Sequence, residues 1–418
     1  MTISRNEALA LDRDDALAQH KQLFDLPAGM IYLDGNSLGP LPHATAQRLQ
    51  QVVYEEWGRG LIGSWNSAHW VSLPERIGDK IARLVGAAPG ELVVADSTSV
   101  NAYKALGAAL PLALAARPER RVVLSERHNF PTDLYIAQSL ARQHGCDLVL
   151  VDEPGQIGPL LDEGNVAVLM LTHVNYRSGR MHDMAALNRR ARAQSTLTLW
   201  DLAHSAGAVP VDLNGDDADF AIGCGYKYLN GGPGAPAFVW AHQRHAAHCV
   251  QPLSGWFGHA APFAFHSDYA PAPGSRRFLC GTPPVLAMAA LECGVDSVLS
   301  AGGMAALRRK SLALSSLFID LVDARCGGHG LALVTPRADA LRGSQVSLVH
   351  PDAAYPIMQA LIAHGVVGDF RAPDILRFGF TPLYTGFADV WDAVDMLSGI
   401  LASGEWRKPS YAERRAVT

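Results

Sequence analysis

Short apolar runs alternate with amphipathic stretches through the middle of the chain. The runs are rich in β-branched residues and do not alternate strictly between polar and apolar positions, which is typical of parallel strands buried on both faces of a sheet. The predicted strands are 121–126, 147–152, 166–174, 196–201, 219–224 and 235–241, and the predicted helices between them are 132–145 and 183–194. This order predicts an open α/β sheet over residues 90–245.

The two ends of the chain predict further elements. Ahead of the sheet lie two predicted helices, 75–86 and 101–116, and hydroxyl residues at 97–99 suit the N-terminus of the second one. Behind the sheet, the predicted helices are 285–326, with a break at Gly302 and Gly303, 353–364 and 387–402, and the predicted strands are 344–349 and 375–380.

The change of pattern near residue 284 predicts the domain organisation. We expect a large domain at 51–284 and a smaller α+β domain at 285–418. An N-terminal segment, 1–50, is expected to contribute to the small domain. The chain shows no internal repeat and no low-complexity linker between the two halves.

Composition and charge exclude several classes of partner. The chain has 418 residues, of which 49 % are hydrophobic, and this suits a large buried core rather than a disordered chain. Lys and Arg number 35 against 40 Asp and Glu, a formal net charge of −5. Because there is no basic excess to neutralise phosphates or anionic lipid, we expect no nucleic acid and no membrane as partners. A small neutral or acidic ligand is expected instead.

Cysteine usage and the N-terminal residues bear on the compartment. The six cysteines are widely spaced and form no C-x-x-C pair, which is typical of reduced thiols in a cytoplasmic protein. Residues 1–15 carry acids where a secretory signal needs a basic region. The most apolar helical stretch, 105–116, contains Pro111 and is shorter than the ~18–20 residues that span a bilayer. We therefore expect a cytoplasmic location and no membrane segment.

Asp201 and Lys227 are the strongest candidates for chemistry. Asp201 ends a predicted buried strand, at the edge where open α/β sheets bind ligands, and Lys227 lies in a glycine-rich turn after the next strand. Such a lysine can form a Schiff base with a carbonyl. A lone lysine is usually a surface residue, and a lone aspartate is usually a helix cap. Pyridoxal phosphate explains the pair, because it needs a lysine for its aldehyde and an acid for its pyridine nitrogen.

Other residues suit the remaining parts of this cofactor. Ser97 and Thr98 precede a predicted helix and offer hydroxyls, N–H groups and the positive end of a dipole to a phosphate. Phe130 and Asp133 follow the 121–126 strand and offer a ring to stack and an acid to bond an oxygen. Each motif taken alone is only a helix cap or a turn.

The motifs resemble those of a known enzyme family. Asp201 to His204, together with Tyr226 and Lys227, is similar to fold-type I pyridoxal-phosphate enzymes of the aminotransferase class V group. Five further blocks resemble kynureninases of the bacterial type, and they lie at 34–42, 129–133, 255–259, 278–285 and 376–385. The resemblance implies the fold-type I architecture, a mostly parallel central sheet flanked by helices with a smaller α+β domain.

The resemblance also implies an activity. Kynureninases are hydrolases of carbon–carbon bonds in ketonic substances, and the expected reaction is the cleavage of L-kynurenine to anthranilate and L-alanine with pyridoxal phosphate held on Lys227. Slower cleavage of 3-hydroxykynurenine is expected as well, which leaves open whether the enzyme serves tryptophan catabolism through the kynurenine pathway or NAD biosynthesis. The expected assembly is a homodimer with shared active sites.

The site residues implied by the resemblance fall into three groups. Lys227, as Schiff-base lysine and proton shuttle, and Tyr226, as an acid/base, would be catalytic. The cofactor-binding residues would be Ser97, Thr98, Phe130, Asp133, Thr172, Asp201, His204, Tyr226, Lys227, Trp256 and Thr282. The substrate-binding residues would be Arg377, for the carboxylate, with Ser37 and Trp65. Trp256 and Thr282 would reach the phosphate of the partner subunit's site, and no metal is expected.

Position 282 departs from the animal members of the family. These carry Asn where this chain has Thr282, and that Asn is associated with ring-hydroxylated substrates. Its absence favours unsubstituted kynurenine.

Four other interpretations compete with this one. A cysteine desulfurase or selenocysteine lyase shares the Asp201 and Lys227 elements but needs a mobile nucleophilic cysteine, for which Cys326 is the only tempting candidate. A class V transaminase would lack the Trp256 and Thr282 blocks. A non-catalytic module fused to a DNA-binding domain would need a basic arm or helix-turn-helix, and none precedes residue 34. Histidines at 242, 245 and 248 do not share one helix face closely enough for a metal.

Overall fold

The computed structural model describes residues 3–415. Its helices are α1 Arg5–Asp14, α2 His43–Gln51, α3 Ser64–Ser67, α4 Leu73–Val85, α5 Thr98–Ala116, α6 Pro131–Gln143, α7 Ile157–Asp162, α8 Met184–Ala193, α9 Gln243–Ala246, α10 Val285–Leu299, α11 Met304–Arg325, α12 Ala354–Ala363 and α13 Phe387–Ser403. Its strands are β1 Phe24–Asp25, β2 Ile31–Tyr32, β3 Leu41–Pro42, β4 Leu92–Val94, β5 Val122–Glu126, β6 Asp147–Val151, β7 Val166–Thr172, β8 Leu197–Asp201, β9 Phe220–Gly223, β10 Phe238–Ala241, β11 Ala332–Leu333, β12 Gln345–Val349, β13 Val366–Val367, β14 Asp369–Arg371 and β15 Ile375–Gly379. Short turns of 3-10 and π helix join them.

A seven-stranded sheet in the order β4-β10-β9-β8-β7-β5-β6 forms the centre of the molecule. The pairs β5–β6, β5–β7, β7–β8 and β8–β9 are parallel, so the predicted mostly parallel sheet is confirmed. The expectation that 235–241 continues the parallel series is wrong, because β10 runs antiparallel to both β9 and β4. The segment between β9 and β10 contains turns and no helix, whereas a parallel pair needs a longer crossover connection.

Both faces of this sheet are buried. On β5, Leu124 packs into a cluster with α4 and α10, whereas its neighbour Val123 packs into a second cluster with α5 and α6. Trp200 and Leu199 on β8 divide in the same way. This explains why the strands are apolar at consecutive positions, as expected for a sheet covered by helices on both sides.

The N-terminus of helix α5 lies at the carboxyl edge of the sheet. It begins at Thr98, slightly earlier than the predicted start at residue 101, because Ser97 caps it and its Oγ accepts from the Val100 N–H at 3.3 Å. The helix continues through Pro111.

The C-terminal part contains a four-stranded antiparallel sheet in the order β11-β12-β15-β14, packed on α11, α12 and α13. The N-terminal residues join it: β2 pairs with β13, and α1 packs on α13, where Arg5 binds Asp392 at 2.6 Å. Helix α10 packs on α2 and α4 beside the large sheet. The division of the chain into 1–50, 51–284 and 285–418 stays a prediction.

Helix length and the grouping of possible ligand residues bear on membranes and metals. Within residues 3–415, no single helix is both long and apolar enough to cross a bilayer, and only the pair α10–α11, bent by 78°, is long and apolar enough when taken together. The same part of the chain has no group of three or more His, Cys, Asp or Glu residues that could hold a metal ion. Of the three histidines with possible metal-ligand spacing, His245 binds Asp219 at 2.6 Å.

Candidate active site

A cavity of about 420 Å³ opens where the central strands end. Thr172 is the last residue of β7, Asp201 is the last residue of β8, and Lys227 lies in the turn that follows β9. Because these strands are parallel, their carboxyl ends meet at one edge of the sheet, where ligands of open α/β folds bind. Nine of the residues named by the sequence line this cavity: Ser97, Thr98, Phe130, Asp133, Thr172, Asp201, His204, Tyr226 and Lys227.

Lys227 is held by a tight backbone turn. The Lys227 carbonyl accepts from the Asn230 N–H at 3.0 Å, and the Gly231 N–H bonds to the Gly225 carbonyl at 2.9 Å. A side chain at Gly225 would put its Cβ 2.3 Å from the Pro236 carbonyl oxygen, so this close approach requires glycine. The turn therefore fixes the position from which the lysine amine enters the cavity.

His204 is the neighbour of that amine. Its Nε2 lies 3.0 Å from the Lys227 Nζ atom. Burial lowers the pKa of His204 well below its ordinary value, and the charge of Lys227 lowers it further. The imidazole is therefore neutral, and its Nε2 can accept a hydrogen bond from the Lys227 amine.

Asp201 and Asp133 form a buried carboxyl pair. An oxygen of Asp201 accepts from the Ala203 N–H at 2.7 Å, and the two carboxyl groups are close enough to share a hydrogen bond. Burial raises the pKa of Asp133 well above its ordinary value, and the charge of Asp201 adds to the effect. Burial also raises the pKa of Asp201, although the charge of Lys227 opposes this. Burial thus favours a proton held between the two carboxyl groups of the pair.

Phe130 and Thr172 form the wall beside this pair. Phe130 precedes α6, is 42 % exposed, and packs edge-to-face on Tyr176 with 5.3 Å between ring centroids. The Thr172 hydroxyl donates to the side-chain oxygen of Asn129. An aromatic face and a hydroxyl thus border the same end of the cavity.

Ser97 and Thr98 line the cavity where α5 begins. A helix of 19 residues presents unpaired N–H groups and a positive dipole at this end. Asp96 lies beside them, and the buried amine of Lys104 binds its carboxylate at 2.6 Å.

Arg377 and Ser37 lie together outside the cavity lining. Arg377 Nη2 donates to Ser37 Oγ at 2.8 Å, and its Nη1 donates to the carbonyl of Tyr176, a lining residue, at 2.7 Å. Asp369 binds the same guanidinium. Arg377, which is predicted to hold a carboxylate, therefore does not line the cavity itself but contacts it through Tyr176.

Trp65, Trp256 and Thr282 also lie away from the lining of this cavity. Trp65 packs on Trp70 and Phe257. Trp256 is 36 % exposed and Thr282 is exposed, although Pro284, close to Thr282, does reach the cavity.

The cavity also includes residues that the sequence analysis did not name as site residues. These are Asp96, Ser99, Thr132, Tyr176, Ala203, Gly234, Ala235, Pro236, Pro284 and Ala287. Asp96 and Ser99 adjoin the Ser97–Thr98 cap, so proximity in sequence was a usable signal. Tyr176 follows β7 by four residues and carries no motif of its own.

The cavity fits pyridoxal phosphate. That cofactor needs an amine for its aldehyde, an acid for its pyridine nitrogen and donors for its phosphate. Lys227, Asp201 and the N-terminus of α5 supply these groups from different walls. In addition, no N–H or hydroxyl donor of the described chain reaches the buried Oδ2 atom of Asp133, which leaves a polar atom for a ligand to satisfy.

Comparison with known sequences gives close relatives. A family model of the kynureninase C-terminal domain matches residues 307–397. A kynureninase of Burkholderia pseudomallei (strain K96243) is 58 % identical over 417 residues, which covers 99 % of this chain and 100 % of that protein. A kynureninase of Pseudomonas fluorescens is 55 % identical with the same coverage.

Comparison with solved structures gives more distant relatives. A cysteine desulfurase from Thermococcus onnurineus NA1 has a TM-score of 0.78 at 17 % identity and covers 92 % of this chain and 98 % of its own. A cysteine desulfurase from Escherichia coli has a TM-score of 0.77 at 19 % identity, covering 93 % and 98 %. A variant of C-DES with glycine linked to its PLP cofactor has a TM-score of 0.79 at 15 % identity, covering 90 % and 98 %. At these identities the likeness shows the fold alone, and it confirms the fold-type I architecture.

Proposed function

The chain belongs to the kynureninase family, and on that premise we propose that the Lys227 cavity is where it hydrolyses L-kynurenine to anthranilate and L-alanine. The enzyme uses pyridoxal phosphate as its cofactor. The observation that carries the proposal is the meeting of one lysine amine, a buried carboxyl pair and a helix N-terminus around one cavity. Bound on Lys227, the cofactor supplies an electron sink for bonds at the substrate α-carbon.

Each end of the cavity suits one part of the cofactor. Asp201 would pair with the pyridine nitrogen and help to hold a proton there. Asp133 and Thr172 would lie beside the 3′ oxygen, and Phe130 would stack on the ring. Ser97 and Thr98 would donate to the phosphate.

Lys227, His204 and Tyr226 are the groups that would handle protons. Lys227 Nζ would carry a proton to and from the α-carbon, and neutral His204 would hold the amine in place through its Nε2 atom. Burial raises the pKa of Tyr226, so its hydroxyl keeps its proton and would donate to the phosphate or to a developing oxyanion. His204 lies close to the reacting amine rather than at the phosphate end.

Arg377 and Ser37 remain the proposed residues for the substrate carboxylate. The guanidinium edge with Nη1 and Nη2 is bound by Tyr176, which lines the cavity, and by Ser37. A carboxylate would take the same edge by a bidentate pair once Ser37 rotates away. Trp65 is proposed for the aromatic side of the substrate.

The activity is tested by anthranilate fluorescence. Purified holoenzyme with L-kynurenine should release anthranilate and alanine in equal amounts. Lys227→Ala should abolish the release, whereas Lys408→Ala, which removes an exposed lysine paired with Glu405, should leave it unchanged. Sulfide release from cysteine, or transfer of the amino group to a keto acid without anthranilate, would support the desulfurase or transaminase interpretations instead.

We also propose a homodimer with shared active sites. Trp256 and Thr282 are exposed on one chain, and Phe263, Phe265 and Leu253 add exposed apolar surface near Trp256. Mixing subunits is the test. If Trp256 serves the partner's site, then Lys227→Ala and Trp256→Ala proteins, each inactive alone, should regain about a quarter of parental activity after exchange, because half of the dimers carry one intact site. No regain in a sample shown to be mixed dimers would contradict the proposal.

The proposal also covers substrate preference and location. Thr282 in place of Asn favours L-kynurenine over 3-hydroxykynurenine, and comparing kcat/KM for both substrates tests this. Faster cleavage of kynurenine would suit tryptophan catabolism, and faster cleavage of the hydroxylated substrate would suit NAD biosynthesis. All six cysteines are unpaired in the structure, which supports the prediction of a cytoplasmic location.

A further inference from the structure

Asn129 is a buried amide directly behind the cavity wall. It lies between β5 and α6, is 3 % exposed and does not line the cavity itself. Its Oδ1 atom accepts from the Phe130 N–H at 2.7 Å and from the Thr172 hydroxyl. Its Nδ2 atom donates to Ser125 Oγ at 3.1 Å. One side chain thus touches the two wall residues on either side of it.

The hydrogen-bond pattern fixes the orientation of this amide. A backbone N–H can only donate, so the atom facing Phe130 must be the amide oxygen. The Ser125 hydroxyl donates to the Met170 carbonyl at 2.7 Å, so it accepts from the Asn129 amide nitrogen. The positions of the amide oxygen and the amide nitrogen of Asn129 are therefore both fixed, because one partner can only donate and the other accepts.

The same pattern decides what Thr172 can do. A threonine hydroxyl has one proton, and Thr172 donates it to the Asn129 side-chain oxygen. Only the lone pairs of Thr172 Oγ1 are left for the cavity.

We infer that Asn129 is a positioning residue for the ring end of the cavity, which fixes the backbone of Phe130 and makes Thr172 a hydrogen-bond acceptor toward the cofactor's 3′ oxygen. The inference rests on the proposed placement of that oxygen beside Thr172. An acceptor next to an oxygen favours the protonated form of that oxygen.

The test is the pH titration of the absorbance of the cofactor bound on Lys227, in the absence of substrate. Titratable side chains that line this cavity are Asp96, Asp133, Asp201, His204, Tyr226, Tyr176 and Lys227. All of them remain unchanged in the variants compared, which are Thr172→Val, Asn129→Leu and the double variant. Each titration midpoint is compared with that of the parent.

The expected signature is a change of sign. In the parent, Thr172→Val removes an acceptor and should lower the titration midpoint, by about half a pH unit. In the Asn129→Leu background the threonine proton is released to the cavity, so Thr172→Val removes a donor and should raise the midpoint. A purely structural role of Asn129 predicts the same sign in both backgrounds.

Thr172→Val in the parent background tests the inference even if Asn129→Leu fails to fold. A higher midpoint after Thr172→Val would show that Thr172 donates, and this would overturn the inference. Asn129→Asp keeps an oxygen for Phe130 and Thr172, so the Thr172→Val effect should keep its parental sign there. The readout requires no kynurenine turnover. Failure of the cofactor to bind on Lys227 would count against the proposed function, whereas a wrong sign would count against Asn129 alone.

Discussion

Asp369 binds Arg377 along one edge of the guanidinium, with 2.8 Å from Nε to Oδ1 and 2.5 Å from Nη2 to Oδ2. The two residues face each other across the antiparallel pair β14–β15, and both are almost fully buried, at 1 % exposure for Arg377 and 2 % for Asp369. Burial alone would raise the pKa of Asp369, but the charge of Arg377 holds this pKa below its ordinary value. The carboxylate therefore stays ionised and orients the arginine before substrate arrives.

Replacing Asp369 by Asn should weaken both folding and substrate binding. The variant leaves Arg377 buried without its anion, and breaking a buried pair in this way costs about 3–5 kcal/mol. Because Arg377 loses its fixed orientation, KM for kynurenine should rise about tenfold, while the cofactor should still bind at Lys227. Urea unfolding and steady-state kinetics measure the two effects.

Asp374→Asn is the matched control for this variant. Asp374 lies in the turn of the same hairpin and binds Arg177 at 2.6 Å, and both side chains are partly exposed. Such pairs contribute no more than about 1 kcal/mol, so neither stability nor KM should change much. Equal effects of the two substitutions would mean that the hairpin as a whole, and not the Arg377 contact, is responsible.

Asp34 should make the stability of the enzyme depend on pH. Burial and the charge of Asp369 raise the pKa of Asp34 to about 7. In the unfolded chain an aspartate titrates near pH ~4, so between about pH 4 and 7 the folded state holds a proton that the unfolded state has lost. The free energy of unfolding therefore falls through this window as pH rises, and it levels off above it.

Asp34→Asn removes this loss of stability with rising pH, because asparagine stays neutral at every pH. The free energy of unfolding of the variant minus that of the parent should therefore be larger at pH 8 than at pH 5. Urea unfolding at both pH values measures this difference. Asp34 also lies near Arg371 and Arg377, whose charges lower its pKa and limit the size of the effect. The same stability difference between the two proteins at both pH values would show that Asp34 titrates normally.

The sequence predicted the elements that depend on local pattern. Six of the seven strands of the large sheet and most of its helices have an apolar pattern of their own, whereas the short strand β4 was not predicted. Ser97 marks the start of α5 by its hydroxyl. Asp201 and Lys227 were found because each lies just after an apolar run and because one cofactor needs both. These features require no knowledge of how distant segments meet.

What the sequence missed depends on long-range contacts. The strand β14, Asp369–Arg371, is short and carries charges at both ends, so it has no strand pattern. Only its pairing with β15 brings Asp369 to Arg377. Tyr176 was missed for a similar reason, since its carbonyl becomes significant only through the approach of Arg377.

Cys326 is predicted to have no catalytic role. It is buried, and burial raises the pKa of its thiol to about 11, so almost none is thiolate at neutral pH. Cys326→Ala should leave kynurenine turnover unchanged and cost about 1 kcal/mol of stability through the small cavity it leaves. Anthranilate release and urea unfolding measure these effects. Loss of turnover with a normal unfolding midpoint would reopen the role of this cysteine.

Lys104 joins the phosphate end of the cavity to the segment that precedes Thr282. Its Nζ atom is fully buried, binds the Asp96 carboxylate at 2.6 Å, and donates to the Phe278 carbonyl at 2.5 Å. Lys104→Met leaves Asp96 without its cation and the Phe278 carbonyl without a donor. Since Asp96 is partly exposed, we expect a loss of about 2–3 kcal/mol, below the usual range for a fully buried pair.

The same substitution should weaken cofactor binding, because the freed charge of Asp96 lies next to Ser97 and Thr98, where the phosphate is proposed to bind. The dissociation constant of pyridoxal phosphate, followed by fluorescence, should rise about tenfold in Lys104→Met. Adding Asp96→Asn to this variant removes the repelling charge and should recover most of the affinity but not the stability, since the Phe278 carbonyl still lacks its donor. Recovery of neither property would indicate that Lys104 acts on the fold of the loop and not through the charge of Asp96.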